Sequence, residues 1–356
     1  MTGSSSMICR HVEALHAYVP GEQPKTPGLI KLNTNENPYP PSPRVLEVLR
    51  GLGEGALRLY PDPMCTALRE RIAALHGVSP EQVFVGNGSD EVLALCTRAF
   101  VEDGGAIGYF EPSYSLYPVL SDIRPAQRRP VPLGEDFSWR MPEDDHASLF
   151  YLTQPNAPTS LAFPRERIEA FARAFRGVLL IDEAYADFAP ETFMDLAATF
   201  DHVLVSRSLS KSYSLAGARA GYAVGPSRLI AALHKIKDSY NVNAITQAIA
   251  LAALDDQAAM RANVARIIAT RERIADALTR RGYVVHPSAT NFLWVRPPAG
   301  QPAAGVFARL RERNILIRYF PGPATGDHLR ITIGTDEQMD AFLAALDHDE
   351  PPRAAR

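Results

Sequence analysis

Three short stretches put reactive residue types where strand ends would deliver them. In Gly86-Asn87-Gly88-Ser89-Asp90-Glu91, two glycines lie between an apolar run and a helical one. A glycine turn lets backbone N–H groups approach an anion. The N–H groups of the following helix then point at it, with the Ser89 hydroxyl beside them. The same residues also suit a tight turn in which Ser89 caps the helix while Asp90 and Glu91 answer its dipole. In VLLIDEAYADF (178–188), an apolar run carries Asp182 to the C-terminal end of a buried strand. Ligands of open α/β sheets sit outside that end, and a carboxylate buried there needs a cationic or proton-bearing partner. The plain alternative is an acidic strand end that caps the next turn. Tyr185 follows three residues later. In HVLVSRSLSKSYSLAGARAGYAVG (202–225), a strand opens into a loop carrying Ser206, Ser208 and Ser210, then Lys211, then Arg219 before another strand. Hydroxyls with a lysine and an arginine can enclose a phosphate. A solvated serine-rich loop is the bland alternative.

The combination is more specific than its parts. A phosphate cup, a buried carboxylate and a lysine, each at a strand end, describe a site for pyridoxal 5′-phosphate. The lysine condenses with the cofactor's aldehyde, the aspartate partners the pyridinium nitrogen, and arginine, serines and a helix N-terminus hold the phosphate. Neither GxGxxG nor GxxxxGK[ST] is present, which argues against dinucleotide and P-loop chemistry. The 9 histidines show no HxxxH or HExxH spacing, so no metal is expected.

The elements that must position these residues follow from periodicity. Apolar runs at 83–86, 106–110, 149–153, 178–182, 202–206 and 220–225 alternate with helical periods. Runs apolar on both faces suit a mostly parallel sheet covered by helices, an α/β domain. Helices are predicted at about 43–51 and 65–77, and a long one over 244–281 broken near Asp255–Asp256. Strands at 283–286, 291–295, 315–320 and 328–334, with helices at 303–313 and 336–347, make a smaller α+β domain. The expected division is an N-terminal arm (1–43) associated with the small domain, a large domain (44–250), a small domain (251–348) and a disordered tail (349–356). Prolines at 38, 40, 41 and 43 exclude helix from the arm. It reads as a segment crossing a surface, outside any packed sheet, after a flexible start.

These stretches, together with AYVPG (17–21), KLNTNENPYPPSP (31–43), LYPD (59–62), PSYSLY (112–117), PNAPTS (155–160), YNVN (240–243) and LRITIG (329–334), resemble the fold-type I pyridoxal-phosphate-dependent aminotransferases. Within them the chain is most similar to the histidinol-phosphate aminotransferases, from about Tyr18 to Leu346. The resemblance implies that Lys211 carries the cofactor, Asp182 binds its ring nitrogen and Tyr185 its phenolic oxygen. Gly88, Ser89, Asp90, Ser208, Ser210 and Arg219 would form the phosphate cup, and Tyr114 would stack on the ring. Tyr60 would reach the phosphate of a neighbouring subunit, making a homodimer functionally required. Arg330 would hold the substrate carboxylate, with Tyr18, Asn33 and Arg318 at the substrate end. The family often reads NPNNPTG where this chain has Gln154-Pro155-Asn156-Ala157-Pro158-Thr159-Ser160. Asn156 would then supply the amide to the phenolic oxygen. Ser212 and Ser214 stand where alanine and glycine are usual.

The implied reaction exchanges an amino group between histidinol phosphate and 2-oxoglutarate. Competing readings are an aromatic amino-acid aminotransferase and a lyase resembling threonine-phosphate decarboxylase. Composition sets outer bounds. The 356 residues are enough for two domains, and 46% hydrophobic with 22% charged residues is ordinary globular content. A net charge of −3 lacks the basic footprint of a nucleic-acid or membrane-surface protein. No signal peptide and no membrane span is read. Three cysteines without CxxC suit a reducing, cytoplasmic setting.

Overall fold

The computed structural model describes residues 7–140 and 146–347. Residues 1–6 of the expected flexible start and all of the expected disordered tail (349–356) lie outside that range.

The arm contains α1 (Arg10–Glu13) and β1 (Ile30–Lys31). Next come α2 (Pro43–Gly51), α3 (Gly55–Arg58), α4 (Thr66–His76), β2 (Val83–Gly86), α5 (Ser89–Phe100), β3 (Ala106–Glu111), α6 (Leu116–Ile123), β4 (Gln127–Pro132) and β5 (Leu149–Thr153). They are followed by α7 (Arg165–Ala174), β6 (Val178–Asp182), α8 (Leu196–Thr199), β7 (Val203–Ser208), β8 (Gly221–Val224), α9 (Ser227–Ile236) and α10 (Ala244–Asp255). The C-terminal part holds α11 (Gln257–Arg280), β9 (Val284–Val285), β10 (Phe292–Arg296), α12 (Ala303–Glu312), β11 (Ile315–Leu316), β12 (Arg318–Tyr319), β13 (Leu329–Thr332) and α13 (Asp336–Asp347).

Seven strands form one sheet in the order β2-β8-β7-β6-β5-β3-β4. Only β8 runs antiparallel, against both β2 and β7. Alternation along the strands divides the apolar residues between two faces. Phe150, Leu152, Leu179, Ile181, Val203 and Val205 pack with Ile72, Ile168, Phe171 and Ile249 of α4, α7 and α10. Leu149, Tyr151, Leu180 and Leu204 pack with Val92, Leu93, Tyr117, Leu229 and Ile230 of α5, α6 and α9. Each such side chain contributes about 1.5–3 kcal/mol of burial. Covering both faces is what leaves the strand ends as the place for polar side chains.

The second sheet, β12-β13-β10-β9, is antiparallel throughout. Ile267 and Ile274 of α11 and Met339 and Phe342 of α13 pack against its Phe292, Leu293, Leu329 and Ile331. The break in the long helix has a local cause. Asp256 ends α10 and caps α11, accepting from the Ala259 N–H at 3.2 Å, while the Ser42 hydroxyl donates to it. A division at 250/251 would cut α10, whose Ile249, Ala252 and Leu254 pack with the large core. We propose the domain boundary at Asp256.

The structure departs from the sequence reading in four places. The arm does hold a short helix, α1, because the proline cluster that excludes helix lies well beyond it at 38–43. The arm does enter a sheet: β1 pairs in parallel with β11, Ile30 opposite Ile315 and Lys31 opposite Leu316. It thereby buries Leu32, Asn33 and Asn35. Two residues are too few to show an alternation. The segment 315–320 is not one strand but two short pieces in different sheets, β11 and β12. Strand β4, QRRPVP, was not expected. It is an edge strand paired only with β3, where proline and charge are tolerated.

Candidate active site

The carboxyl ends of β5, β6 and β7 lie side by side. In register, Thr153 faces Asp182 and Asp182 faces Ser206, so the three side chains form one row. Asp182 is 3% exposed. Its Oδ2 accepts from the Tyr117 hydroxyl at 3.0 Å, and its Oδ1 from the Ala184 N–H at 3.2 Å and the Ser206 hydroxyl at 3.3 Å. Burial pushes its carboxyl up to about 6 despite these donors. No cation pairs with it among the described residues. Its neighbour Glu183 points to the opposite face and accepts from Arg207 Nε at 2.7 Å. Arg207 also donates to Asp187 at 2.7 Å.

Next to Asp182 is the turn after β2. Gly88 has φ +83°, and a Cβ built on it would meet Arg219 Nη2 at 2.5 Å, so glycine is required there. Arg219 donates to Asp90 at 3.0 Å and lies 3.5 Å from the Ser210 hydroxyl. The Ser208 hydroxyl accepts from the Ser210 N–H at 3.2 Å. Ser89 opens α5 as its first helical residue, and the cap position belongs to Gly88. Serine hydroxyls, a guanidinium and a helix N-terminus thus converge on one hollow, a combination suited to phosphate.

Lys211 sits in the loop after β7. Its Nζ donates to the Thr34 carbonyl at 3.3 Å and lies 5.9 Å from the Tyr185 ring centre. Burial, and then the positive charge of Arg330, lowers its amine from 10.5 to about 8. The arm closes over it: Asn35 Nδ2 donates to the Tyr185 hydroxyl at 2.8 Å, and Asn37 Nδ2 to the Lys211 carbonyl at 3.0 Å. Tyr114 donates to Asp90 at 3.1 Å and meets Tyr18 edge-on at 6.0 Å.

The second domain supplies the far wall. Arg318 on β12 faces Arg330 on β13 directly across the ladder. Like charges in that position repel. Phe320 lies beneath both guanidinium groups, at 5.0 and 5.2 Å. Arg330 donates to the Asn33 carbonyl at 2.8 Å, yet its Nε is buried with no partner. Such an arrangement suits an anion between or beside the two groups.

Tyr18, Ser89, Asp90, Tyr114, Asp182, Tyr185, Ser208, Ser210, Lys211, Arg219, Arg318 and Arg330 all line one cavity of about 1700 Å³. Four predicted residues do not, the first being Gly88, which forms the turn just before the lining residue Ser89. Asn156 is fully buried, and its Nδ2 is spent on the Pro112 carbonyl at 3.0 Å and the Thr159 hydroxyl at 2.9 Å. It clamps loops behind the cavity instead of reaching into it. Asn33 turns its amide to the Glu22 carbonyl at 2.9 Å, so its backbone, not its side chain, serves Arg330. Tyr60 is 80% exposed and stacks on Tyr240 at 4.4 Å, outside the cavity. The reading from sequence missed Tyr117, Thr153 and Asn35. Tyr117 lies one helical turn beyond Tyr114, a usable signal; Thr153 and Asn35 reach the site only through strand pairing and arm docking.

These residues fit pyridoxal 5′-phosphate. Asp182 is a buried carboxylate lacking a cation, the turn at Gly88 takes a φ of +83° that presses backbone and the Arg219 guanidinium together, and Arg330 has an unpartnered nitrogen. The described residues contain no grouping of three metal-binding side chains and no helix long and apolar enough to cross a membrane.

Fold and site together define an aminotransferase of class I and II, whose family model matches residues 27–346; the chain belongs to that family. The relatives narrow it further. The chain is 48% identical over 353 residues to histidinol-phosphate aminotransferase 2 of Thiobacillus denitrificans, covering 97% of this chain and 98% of that one. It is 45% identical to the histidinol-phosphate aminotransferase of Geotalea uraniireducens, with 95% and 97% covered. Among solved structures, histidinol-phosphate aminotransferase from Sinorhizobium meliloti in complex with pyridoxal 5′-phosphate superposes with a TM-score of 0.86, 28% identity and 98% of each chain covered.

Proposed function

We propose that this chain is a pyridoxal-phosphate-dependent transaminase that interconverts L-histidinol phosphate and 2-oxoglutarate with imidazole-acetol phosphate and L-glutamate. One observation carries it: a single cavity unites a buried aspartate without a cation, an amine lowered to about 8, and two guanidinium groups facing each other across a ladder. The full-length likeness to relatives of that name supports the choice of substrate.

When bound, pyridoxal 5′-phosphate offers an aldehyde to an amino group and an electron-withdrawing ring to the substrate's Cα. The protein holds it at both ends. Ser89, Ser208, Ser210 and Arg219 bind the phosphate, with Asp90 orienting Arg219. Asp182, buried at the cavity floor, would meet the ring nitrogen with a charge-assisted hydrogen bond. Tyr185, fixed by Asn35, would hold the phenolic oxygen, and Tyr114 would pack against the ring. Lys211 Nζ, with its lowered basicity, takes the proton from Cα and returns it. Arg330 holds the carboxylate of glutamate or 2-oxoglutarate. Arg318 contacts the phosphate of histidinol phosphate, because a guanidinium fork pairs with carboxylate and phosphate oxygens alike.

The homodimer belongs to the same proposal. Leu46, Leu49, Leu57, Leu59, Tyr60, Met64 and Tyr240 form an exposed apolar set around α2 and α3, of the kind that marks an interface. Tyr60 then completes the phosphate cup of the second subunit. Sedimentation should give a dimer, and Tyr60→Ala should weaken cofactor binding within it; a monomeric active enzyme overturns this part. The central test is kcat/KM for histidinol phosphate against phenylalanine and tyrosine, with 2-oxoglutarate as acceptor. A preference for the aromatic acids replaces the substrate assignment, and CO2 release without an acceptor replaces the reaction.

A further inference from the structure

Behind Asp182 runs a chain of hydroxyls. Asp182 Oδ2 contacts the Tyr117 hydroxyl at 3.0 Å, Tyr117 contacts Thr153 Oγ1 at 2.5 Å, Thr153 contacts Ser113 Oγ at 3.0 Å, and Ser113 contacts Asn156 Oδ1 at 3.0 Å. The far end has a fixed polarity. Asn156 Nδ2 donates to the Pro112 carbonyl, which can only accept, so Oδ1 is the atom facing Ser113. Tyr117 and Asn156 are fully buried and Thr153 is 2% exposed, while Ser113 is half-buried at the cavity wall.

The protons can be counted. Tyr117, Thr153 and Ser113 contribute one each, three in all, for four contacts. Both ends accept when Asp182 is ionised, so one contact then lacks a proton. A protonated Asp182 supplies the fourth, and every contact is filled in one direction, from Asp182 through Tyr117, Thr153 and Ser113 to Asn156. A buried oxygen pair facing each other without a proton is costly.

We propose that Asn156, Ser113, Thr153 and Tyr117 are positioning residues that keep Asp182 protonated until it can hand that proton to the cofactor's pyridine nitrogen. In that step the O–H bond of the carboxyl breaks and an N–H bond forms, leaving carboxylate and pyridinium with no proton taken from solvent. The inference rests on the reading of Asp182 given above. It also gives Asn156 a part, acting through three hydroxyls instead of touching the cofactor. The titratable or charged groups facing Asp182 are Asp90 on α5, Tyr117 on α6, Tyr151 on β5 and Tyr185 after β6; Asp90 acts in the same direction as burial.

The count makes an unusual prediction. Removing a middle hydroxyl removes one proton and two contacts, so the remaining protons suffice for an ionised Asp182. Thr153→Val and Ser113→Ala should therefore make Asp182 more acidic, by at least about tenfold in its ionisation constant. Thr153→Ser should restore the wild-type value.

The measurement is an infrared pH titration of the full-length apoenzyme, using the carbonyl band of a protonated carboxyl that Asp182→Asn abolishes. A midpoint in Thr153→Val and Ser113→Ala that equals or exceeds the wild-type one overturns the proposal. Ser113→Ala carries the test if Thr153→Val does not fold. Calorimetry with pyridoxine 5′-phosphate, which has no aldehyde, in two buffers of different ionisation enthalpy then counts protons on binding. Near pH 6 the two middle-hydroxyl variants should take up more from solvent than wild type, and equal uptake also overturns it. Should that ligand fail to bind any variant, the reading of Asp182 as ring partner falls, while the infrared result still decides the chain.

Discussion

Asp182 and Glu183 are consecutive, both buried, and opposite in circumstance. Glu183 belongs to the back of the sheet end, where Arg207 and the Thr192 and Phe193 groups satisfy it. Arg207 bridges on to Asp187, which in turn accepts from the Ser212 hydroxyl beside Lys211. Asp182 faces the cavity, where it has hydroxyl and N–H donors but no cation. The same division holds for the bases: Arg207 is paired, whereas Arg330 has a buried Nε without a partner. Paired buried charges hold a structure in one arrangement; a buried charge without its complement marks where a ligand supplies it.

The sharpest way to break this division is Lys211→Ala. It removes the cavity's base and should cut turnover by at least about 10⁴-fold, leaving the fold and the paired cluster intact. A rate within about tenfold of wild type would sink the assignment. Next, Asp182→Asn should lower kcat/KM by about a thousandfold or more and weaken cofactor binding. Its apoprotein should be no less stable. With the folded carboxyl holding its proton to about 6 against 3.8 unfolded, wild-type apoprotein loses stability as pH rises through that window, and the variant should lack this slope. Glu183→Gln should behave inversely: thermal denaturation should show a loss of about 3–5 kcal/mol, with kcat of the folded enzyme within about tenfold.

A smaller effect sharpens the substrate end. Arg318→Lys should penalise histidinol phosphate by about 10–100-fold in kcat/KM, through the lost bidentate contact, and phenylalanine far less. Equal losses would remove the phosphate role. The mildest test concerns pH. Cofactor capture by the apoenzyme needs an uncharged Lys211, so its rate should climb as pH rises through about 8 and then level; if the amine kept its ordinary basicity, stopped-flow absorbance would show the rate still climbing about tenfold per pH unit beyond 8.

Much of this was legible beforehand because the informative residues are local. Strands β2, β5 and β6 and helices α2 and α13 follow from uninterrupted periodicity. Lys211, Asp182 and Arg219 stand in short motifs whose chemistry is recognisable from residue type and order. What escaped was non-local. Strand β4 is polar and proline-bearing because it has a partner on one side only. The two residues of β1 become a strand only when β11 docks beside them, and Asn35 reaches Tyr185 through that docking. Asn156 looked like a cofactor ligand, yet its amide is committed to Pro112 and Thr159.

By itself the amino-acid sequence determined which groups are available: the lysine, the aspartate, the glycine turn and the arginines, with the helices and strands that carry them. Local propensity and side-chain period act over a few residues, so they are written in order along the chain. Only the tertiary structure decided which groups meet. Thr153, Asp182 and Ser206 share a row because three strands pair in one register, and Arg318 opposes Arg330 because two short strands do. Those pairings are chosen by burial of whole faces, an energy that no single segment contains.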